Sequence, residues 1–232
     1  MSDIKKTLSS NSGFLDAQSG LKHSDIIKAL NWRYATKSFD QSKKLSESDL
    51  NELLEAIRLS PSSFGLQPWK FIVVENKELR KKISEKAWHQ PQVTEASHLI
   101  VLCARTDITE SYIKEFIQDT AKTRNTSIDS LKGYEDMMLG FRKEHNKDSI
   151  LEWTKKQVYI ALGVLLEAAA IKRIDASPME GFDPKGVDEV LNLSKDGLTS
   201  TVLCALGYRS KEDKTSQYAK VRHTHHKIIE KR

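Results

Sequence analysis

The 232-residue chain has only two cysteines, five prolines and ten glycines, and these low counts exclude several classes of protein. Cys103 and Cys204 each lie inside an apolar run of strand type. Neither has the spacing of a metal site or of a disulfide framework, so both are predicted to be inert core residues. No repeat period occurs, and no glycine-rich loop follows a strand pattern, which disfavours solenoids, Rossmann sites and P-loops.

Long apolar runs are scarce as well. The longest covers about 158–171 and is interrupted by Glu167, so it is shorter than the roughly 20 residues that a bilayer crossing needs. Residues 1–21 mix polar and charged types without the apolar core of a signal peptide. We therefore predict a flexible leader over 1–21, a single domain over 22–232, no membrane partner and a cytoplasmic location.

The charge balance is only mildly basic. The 37 Lys and Arg residues exceed the 32 Asp and Glu residues by enough for a net charge of +5. This excess suits phosphate-bearing ligands, but it is modest for a nucleic-acid binder, and no nucleic-acid motif accompanies it. A basic module that binds DNA or RNA without enzymatic activity is kept as an alternative. It predicts salt-sensitive binding to nucleic acid and a colourless protein, that is, one without a coloured cofactor. No metal site is predicted from His223, His225 and His226, because no carboxylate or Cys stands at ligand spacing.

Apolar spacing predicts helices and strands in mixed order. Predicted strands cover 71–75, 98–104 and 199–206, and predicted helices include 24–31, a segment capped by Ser46, 153–171 and a segment begun by Asp183 and Pro184. The long helix over 153–171 is apolar on most sides, so it should be covered by protein all round. Exposed helices are predicted over 109–145. The unequal connections between strands favour an α+β fold over a doubly wound sheet.

Four polar segments stand at the ends of regular elements. In chain order they are Arg33-Tyr34-Ala35-Thr36-Lys37, Pro61-Ser62-Ser63-Phe64-Gly65-Leu66-Gln67-Pro68-Trp69, Pro178-Met179-Glu180-Gly181-Phe182 and Lys220-Val221-Arg222. Considered singly, each segment has an ordinary structural explanation, such as cations near a helix C-terminus or a solvated basic tail. In this order and at these distances, however, they resemble the nitroreductase family of FMN-dependent enzymes, from about Ser24 onward.

The resemblance implies both a fold and a reaction. The fold would be a three-layer α+β arrangement, with a mostly antiparallel central sheet flanked by helices in an interwoven homodimer. The C-terminal tail would reach the partner subunit. The enzyme would pass hydride from NAD(P)H to nitroaromatic or quinone-type acceptors by a ping-pong mechanism. NAD(P)H and the acceptor would occupy the same site one after the other. Flavin reductases and dihydropteridine reductases share the resemblance, so they stay open as alternatives.

The resemblance also implies roles for individual residues. Arg33, Lys220 and Arg222 would hold the FMN phosphate. Lys37 would face the pyrimidine edge of the flavin, and the backbone of Glu180 and Gly181 would face the hydride-accepting nitrogen. The remaining residues of the predicted cofactor site are Tyr34, Ala35, Thr36, Pro61, Ser62, Ser63, Gly65, Gln67, His89, Gln90, Pro178 and Met179. Ala35 and Gly65 depart from the family pattern, in which Ser and Asn are frequent at these two places.

Overall fold

The computed structural model describes residues 23–232, so the predicted leader lies outside the described residues. The helices are α1 His23–Trp32, α2 Glu47–Arg58, α3 Lys77–Lys86, α4 Gln92–Glu95, α5 Glu110–Arg124, α6 Lys132–Glu144, α7 Lys147–Ile171, α8 Pro184–Leu191 and α9 His225–Ile228. The strands are β1 Trp69–Val74, β2 His98–Arg105, β3 Asp175–Met179 and β4 Leu198–Gly207. Ser46 caps α2 as predicted, since its side chain accepts a hydrogen bond from the Asp49 N–H.

The four strands form one antiparallel sheet in the order β1-β2-β4-β3. The central strands β2 and β4 are apolar over 99–104 and 202–206, because both faces of the sheet are covered there. Leu99, Val101 and Cys103 of β2 pack with α3 and α8 on one face. Ile100 and Leu102 pack with α2 and α7 on the other. Alternate side chains of a strand point to opposite faces, so this run of apolar residues produces a three-layer arrangement.

A third apolar cluster forms where α5 and α6 pack together. Ile113, Ile117 and Met138 are buried there. Phe141 stacks against Phe64 and Trp153, with ring centroids 5.3 and 5.2 Å apart. The region predicted as exposed helices is therefore helical, but it carries a small core of its own that anchors the loop containing Phe64.

The prediction that α7 is covered all round is not met within this chain. Tyr159 is 40% exposed and Ile160 is 43% exposed. Gly163 and Glu167 continue the same exposed face. The helix also begins at Lys147, six residues earlier than predicted, because Asn146 caps it by accepting from the Ser149 N–H. The opposite face of α7, including Val158 and Leu165, is buried against the sheet.

Strand β3 was not predicted from the sequence. It is an edge strand, and such a position tolerates Pro178, which has no N–H to donate. The side chain of Met179 is buried in the core with Val187 and Leu203. Pro178 and Met179 are thus parts of a strand rather than of a loop, and only the residues after Met179 leave the sheet.

The cysteines are both free and buried, as predicted. Burial raises the pKa of each thiol to about 12, so both stay protonated near neutral pH. Within residues 23–232, none of the helices combines the length and apolarity that a membrane crossing requires. The same part of the chain contains no group of three or more His, Cys, Asp or Glu side chains suited to holding a metal ion.

Candidate functional site

A basic cleft forms where the segment after α1 meets the C-terminal tail. Its volume is about 350 Å³. Arg33, Lys220 and Arg222 all line it, although Arg33 is 187 residues from Lys220 in the chain. The Lys220 ammonium donates hydrogen bonds to the carbonyl oxygens of Leu30, at 3.1 Å, and of Arg33. The two ends of the described chain therefore meet at one site.

The charges in the basic cleft are not neutralised by protein. No Asp or Glu is among the residues of the described chain that line it. Burial lowers the pKa of Arg33, and the nearby charge of Arg222 lowers it further. Burial, Arg33 and Arg222 likewise lower the pKa of Lys220. The buried Nε of Arg33 has no hydrogen-bond partner within residues 23–232. The three cations repel one another, and the Nε of Arg33 is an unused buried donor. Such a group of side chains is suited to binding an anion that has several oxygen atoms.

Asp213 fastens the tail to the segment after α1. It is 3% exposed. Its Oδ2 accepts from the Lys37 N–H at 2.8 Å and from the Tyr34 hydroxyl at 3.1 Å, and its Oδ1 accepts from the Thr215 N–H at 2.9 Å. Burial acts to raise the pKa of Asp213, but these hydrogen bonds and one from the Ser38 N–H outweigh burial, so the pKa lies below its ordinary value. Asp213 therefore links the tail to the segment after α1, next to the basic cleft.

A second buried carboxylate, Asp175, ties the same segment to the sheet. Asp175 accepts from the Thr36 hydroxyl at 3.2 Å and from the Arg209 Nε at 2.9 Å. The guanidinium of Arg209 lies over the rings of Trp32 and Tyr34 at 4.3 and 4.5 Å. Ala35 forms a parallel bridge to Ala176. Thr36 is fully buried, so its side chain belongs to this framework and does not reach the cleft.

Lys37 follows directly on this framework. Its backbone N–H is held by Asp213, while its side chain is exposed. Among the described residues the Lys37 ammonium has no hydrogen-bond or ion-pair partner, and it does not line the basic cleft. A cation on a fixed backbone with an unengaged ammonium is free to meet a ligand that extends beyond the cleft.

The Glu180-Gly181 segment leaves β3 and is held by the turn before α4. The Gln90 amide donates to the Gly181 carbonyl at 2.6 Å. Trp88 and His89 both adopt left-handed backbone conformations, with φ of 51° and 53°. The Trp88 ring lies against Gly181 while remaining 68% exposed. The structure therefore brings Gln90 to the Glu180-Gly181 segment and places Trp88 beside it.

Replacing Gly181 with alanine is expected to destabilise this contact. The added methyl would lie 2.6 Å from Cζ3 of Trp88, so either the ring or the backbone must shift. Overpacking of this kind costs about 1–2 kcal/mol, which lowers the melting temperature by roughly 2–8 °C in a protein of this size.

The Trp88→Ala variant provides the check on that assignment. Removing the ring should restore most of the stability lost in Gly181→Ala, so the double variant is expected to melt above the Gly181→Ala protein. Equal melting temperatures for the Gly181→Ala variant and for the double variant with Trp88→Ala would contradict the contact between Gly181 and Trp88.

The loop over 61–67 is fixed by helices that lie away from the basic cleft. The Ser63 N–H donates to the Gln157 side chain at 2.9 Å, and the Tyr112 hydroxyl donates to the Leu66 carbonyl at 2.7 Å. The Ser62 hydroxyl accepts from the Gln67 N–H at 2.8 Å. Gly65 has φ of 68°, a conformation that glycine adopts without strain. None of these loop residues lines the basic cleft of the same chain.

Two residues that shape the site, Asp175 and Asp213, were not singled out from the sequence. Asp175 offered a signal, because a lone acidic residue at the start of an apolar stretch requires a partner when buried. Asp213 lies in the charged stretch Lys211-Glu212-Asp213-Lys214 and looks like a surface residue. Only its contacts distinguish it from its neighbours.

The fold and the site define an α+β protein with an antiparallel sheet and an anion cleft built from both ends of the described chain. A model of the Nitroreductase family matches residues 30–208. A Staphylococcus saprophyticus protein named as a candidate NAD(P)H nitroreductase is 41% identical over 215 residues, which cover 88% of this chain and 95% of that protein. The similarly named YfkO of Bacillus subtilis is 38% identical over 198 residues, covering 81% of this chain and 90% of that protein.

Solved structures agree on the fold. The structure described as the nitroreductase ydfN of Bacillus subtilis has a TM-score of 0.80 at 18% identity and covers 91% of this chain and 100% of its own. A nitroreductase-like structure in complex with FMN, from Exiguobacterium sibiricum, has a TM-score of 0.75 at 20% identity and covers 93% of this chain and 99% of its own. The chain belongs to the nitroreductase family of enzymes. Both the resemblance and the α+β fold class predicted from the sequence are confirmed.

Proposed function

We propose that this enzyme is an FMN-dependent oxidoreductase that transfers hydride from NAD(P)H to nitroaromatic or quinone-type acceptors. The observation that carries the proposal is the basic cleft, in which Arg33, Lys220 and Arg222 converge with no Asp or Glu of residues 23–232 in the lining. The names of the relatives supply the class of reaction, and the Exiguobacterium structure supplies the cofactor. A cytoplasmic location stays a prediction.

The residues present fit FMN. A phosphate dianion requires converging cations and unused N–H donors, and the buried, unpartnered Nε of Arg33 is such a donor. In this proposal the three cations hold the phosphate. Lys37 lies at the pyrimidine edge of the ring, and the backbone of Glu180 and Gly181 faces its hydride-accepting nitrogen. When bound, FMN supplies the acceptance and donation of hydride, so the protein needs no nucleophile of its own.

The loop over 61–67 would serve the FMN of a second copy of the chain. It lies away from its own basic cleft, yet its backbone is fixed by three helices, which suits a binding element. The exposed face of α7 and apolar tail residues such as Tyr218 and Val221, which are 72% and 86% exposed, offer surface for a homodimer. Residues from both chain ends build one cleft, so we treat 22–232 as one domain.

The visible spectrum of the purified protein tests cofactor and reaction together. We expect a yellow protein whose visible flavin absorption disappears when NADH or NADPH is added without oxygen. Addition of a nitroaromatic or a quinone should then restore it. A colourless protein that FMN does not reconstitute would contradict the proposal.

The choice of acceptor requires a separate comparison. Nitroaromatic, quinone, free flavin and dihydropteridine acceptors should be compared by kcat/KM with one enzyme preparation. We expect the first two to lead. A clear preference for free flavin or dihydropteridine would assign the enzyme to the alternative reductases, while a sedimentation measurement under the same conditions should return the mass of a dimer.

A further inference from the structure

The Glu180-Gly181 segment is held by a third contact, which comes from α7. The Tyr159 hydroxyl donates a hydrogen bond to Oε1 of Glu180. Glu180 is otherwise exposed, and it follows the last residue of an edge strand. The segment thus has Gln90 on its carbonyl, Trp88 against its glycine and Tyr159 on its side chain.

The position of Tyr159 is well defined because the part of α7 that carries it is packed against the core. Val158, Ala161 and Leu162, its neighbours on the helix, are buried at 0, 0 and 6% exposure. A side chain carried by a packed helix is placed more accurately than one carried by a loop. Burial raises the pKa of Tyr159 to about 12, and the hydrogen bond to Glu180 acts in the same direction. The phenol therefore stays protonated and donates throughout the neutral and mildly basic range.

Among the described residues, the hydrogen bond to the Glu180 carboxylate comes from Tyr159, although Lys156 lines the same surface. Tyr159 and Glu180 share a shallow cleft with Lys155, Lys156 and Glu152. Lys155 is paired with Glu152 at 3.2 Å, and Tyr159 makes the hydrogen bond to Glu180 within the described chain. Loss of the phenolic hydroxyl would leave the Glu180 carboxylate in water and remove the side-chain contact that helps to orient the Glu180-Gly181 peptide.

We propose that Tyr159 is a positioning residue, which sets the orientation of the Glu180-Gly181 peptide toward the flavin by holding the Glu180 side chain. The inference rests on the proposed function, because it concerns the backbone that would face the hydride-accepting nitrogen. Tyr159 contacts neither the phosphate cations nor Lys37. Its effect belongs to the reactivity of the bound cofactor and not to the affinity for it.

The Tyr159→Phe variant tests this inference. FMN affinity, KM for NAD(P)H and melting temperature should stay near the wild-type values, while the anaerobic rate of flavin reduction falls about tenfold, the size of one lost hydrogen bond to a charged group. The visible spectrum and the midpoint potential of bound FMN should shift as well. Tyr208→Phe is the matched control, because Tyr208 packs in the core, with no side-chain hydrogen bond inside the described range.

A double-mutant cycle distinguishes positioning through Glu180 from a general effect of the tyrosine. Glu180→Leu should slow flavin reduction by a similar factor, and the double variant should be no slower than either single one. Glu180→Gln, which keeps an acceptor oxygen, should retain most of the rate. Additive losses, or a Tyr159→Phe protein with wild-type rate and spectrum, would overturn the inference. Failure of every variant and of the wild type to bind FMN would instead refute the proposed function.

Discussion

Replacing Asp213 with alanine is expected to lower the free energy of unfolding by about 3–5 kcal/mol and to weaken FMN binding together with it. The variant loses a buried carboxylate that accepts from Lys37, Tyr34 and Thr215. Hydrogen bonds to a charged group contribute about 1.5–3 kcal/mol each, and orphaned buried donors add a desolvation cost. Urea unfolding measured with and without FMN should show both losses.

Asp129→Ala is the control for Asp213→Ala, since Asp129 is exposed and lies outside every contact described above. It should change the unfolding free energy by less than about 0.5 kcal/mol. A variant at Asp213 that unfolds like the Asp129 control would show that the tail is held in place by something else.

The stability supplied by Asp213 also has a defined pH dependence. Its pKa is lowered in the folded protein, so the stabilising effect is fully present above the unfolded-state value of about 3.9 and is lost as pH falls through the lower folded value. The difference in unfolding free energy between wild type and Asp213→Ala should therefore be constant near neutral pH and shrink below about pH 4. A difference that persists unchanged in acid would contradict the ionised carboxylate.

The Arg222→Gln variant is expected to bind FMN about 10- to 100-fold more weakly than the wild type. Arg222 is exposed, and within the described part of the chain its side chain donates only to the adjacent Val221 carbonyl, so its loss should not affect the fold. A charge-assisted hydrogen bond to phosphate contributes about 1.5–3 kcal/mol, which corresponds to this range. Riboflavin, which has no phosphate, should bind wild type and variant equally. Fluorescence titration of the apoprotein with each flavin measures both.

Arg232→Gln is the matched control for Arg222→Gln, because it removes the same charge from the same tail at a residue paired only with Glu230 on the surface. Burial and the nearby charges of Arg33 and Arg222 lower the pKa of Lys220. FMN affinity should therefore also fall at high pH, because Lys220 loses its proton at a lower pH than an ordinary lysine. Equal affinities for FMN in the Arg222 and Arg232 variants would contradict the phosphate assignment.

The fold class could be read from local patterns because those patterns reflect burial. An uninterrupted apolar run such as 99–104 suits only a strand covered on both faces, and the observed β2 is such a strand. Ser46 and Pro184 marked helix starts through backbone chemistry that needs no tertiary context. Strand β3 escaped prediction because its five residues include Pro178 and lie at an edge, where the pattern of a central strand is absent.

The sequence by itself determined the family, the three-layer fold and the identity of the cations that we assign to phosphate, because residue types in a given order carry that information. Tertiary structure alone decided that Asp213 and Asp175 hold the two chain ends together, and that Trp88 and Tyr159 flank Glu180-Gly181. The physical reason is distance along the chain. A carboxylate in a charged stretch and a tyrosine on a helix acquire their roles from partners that only folding brings within hydrogen-bond reach.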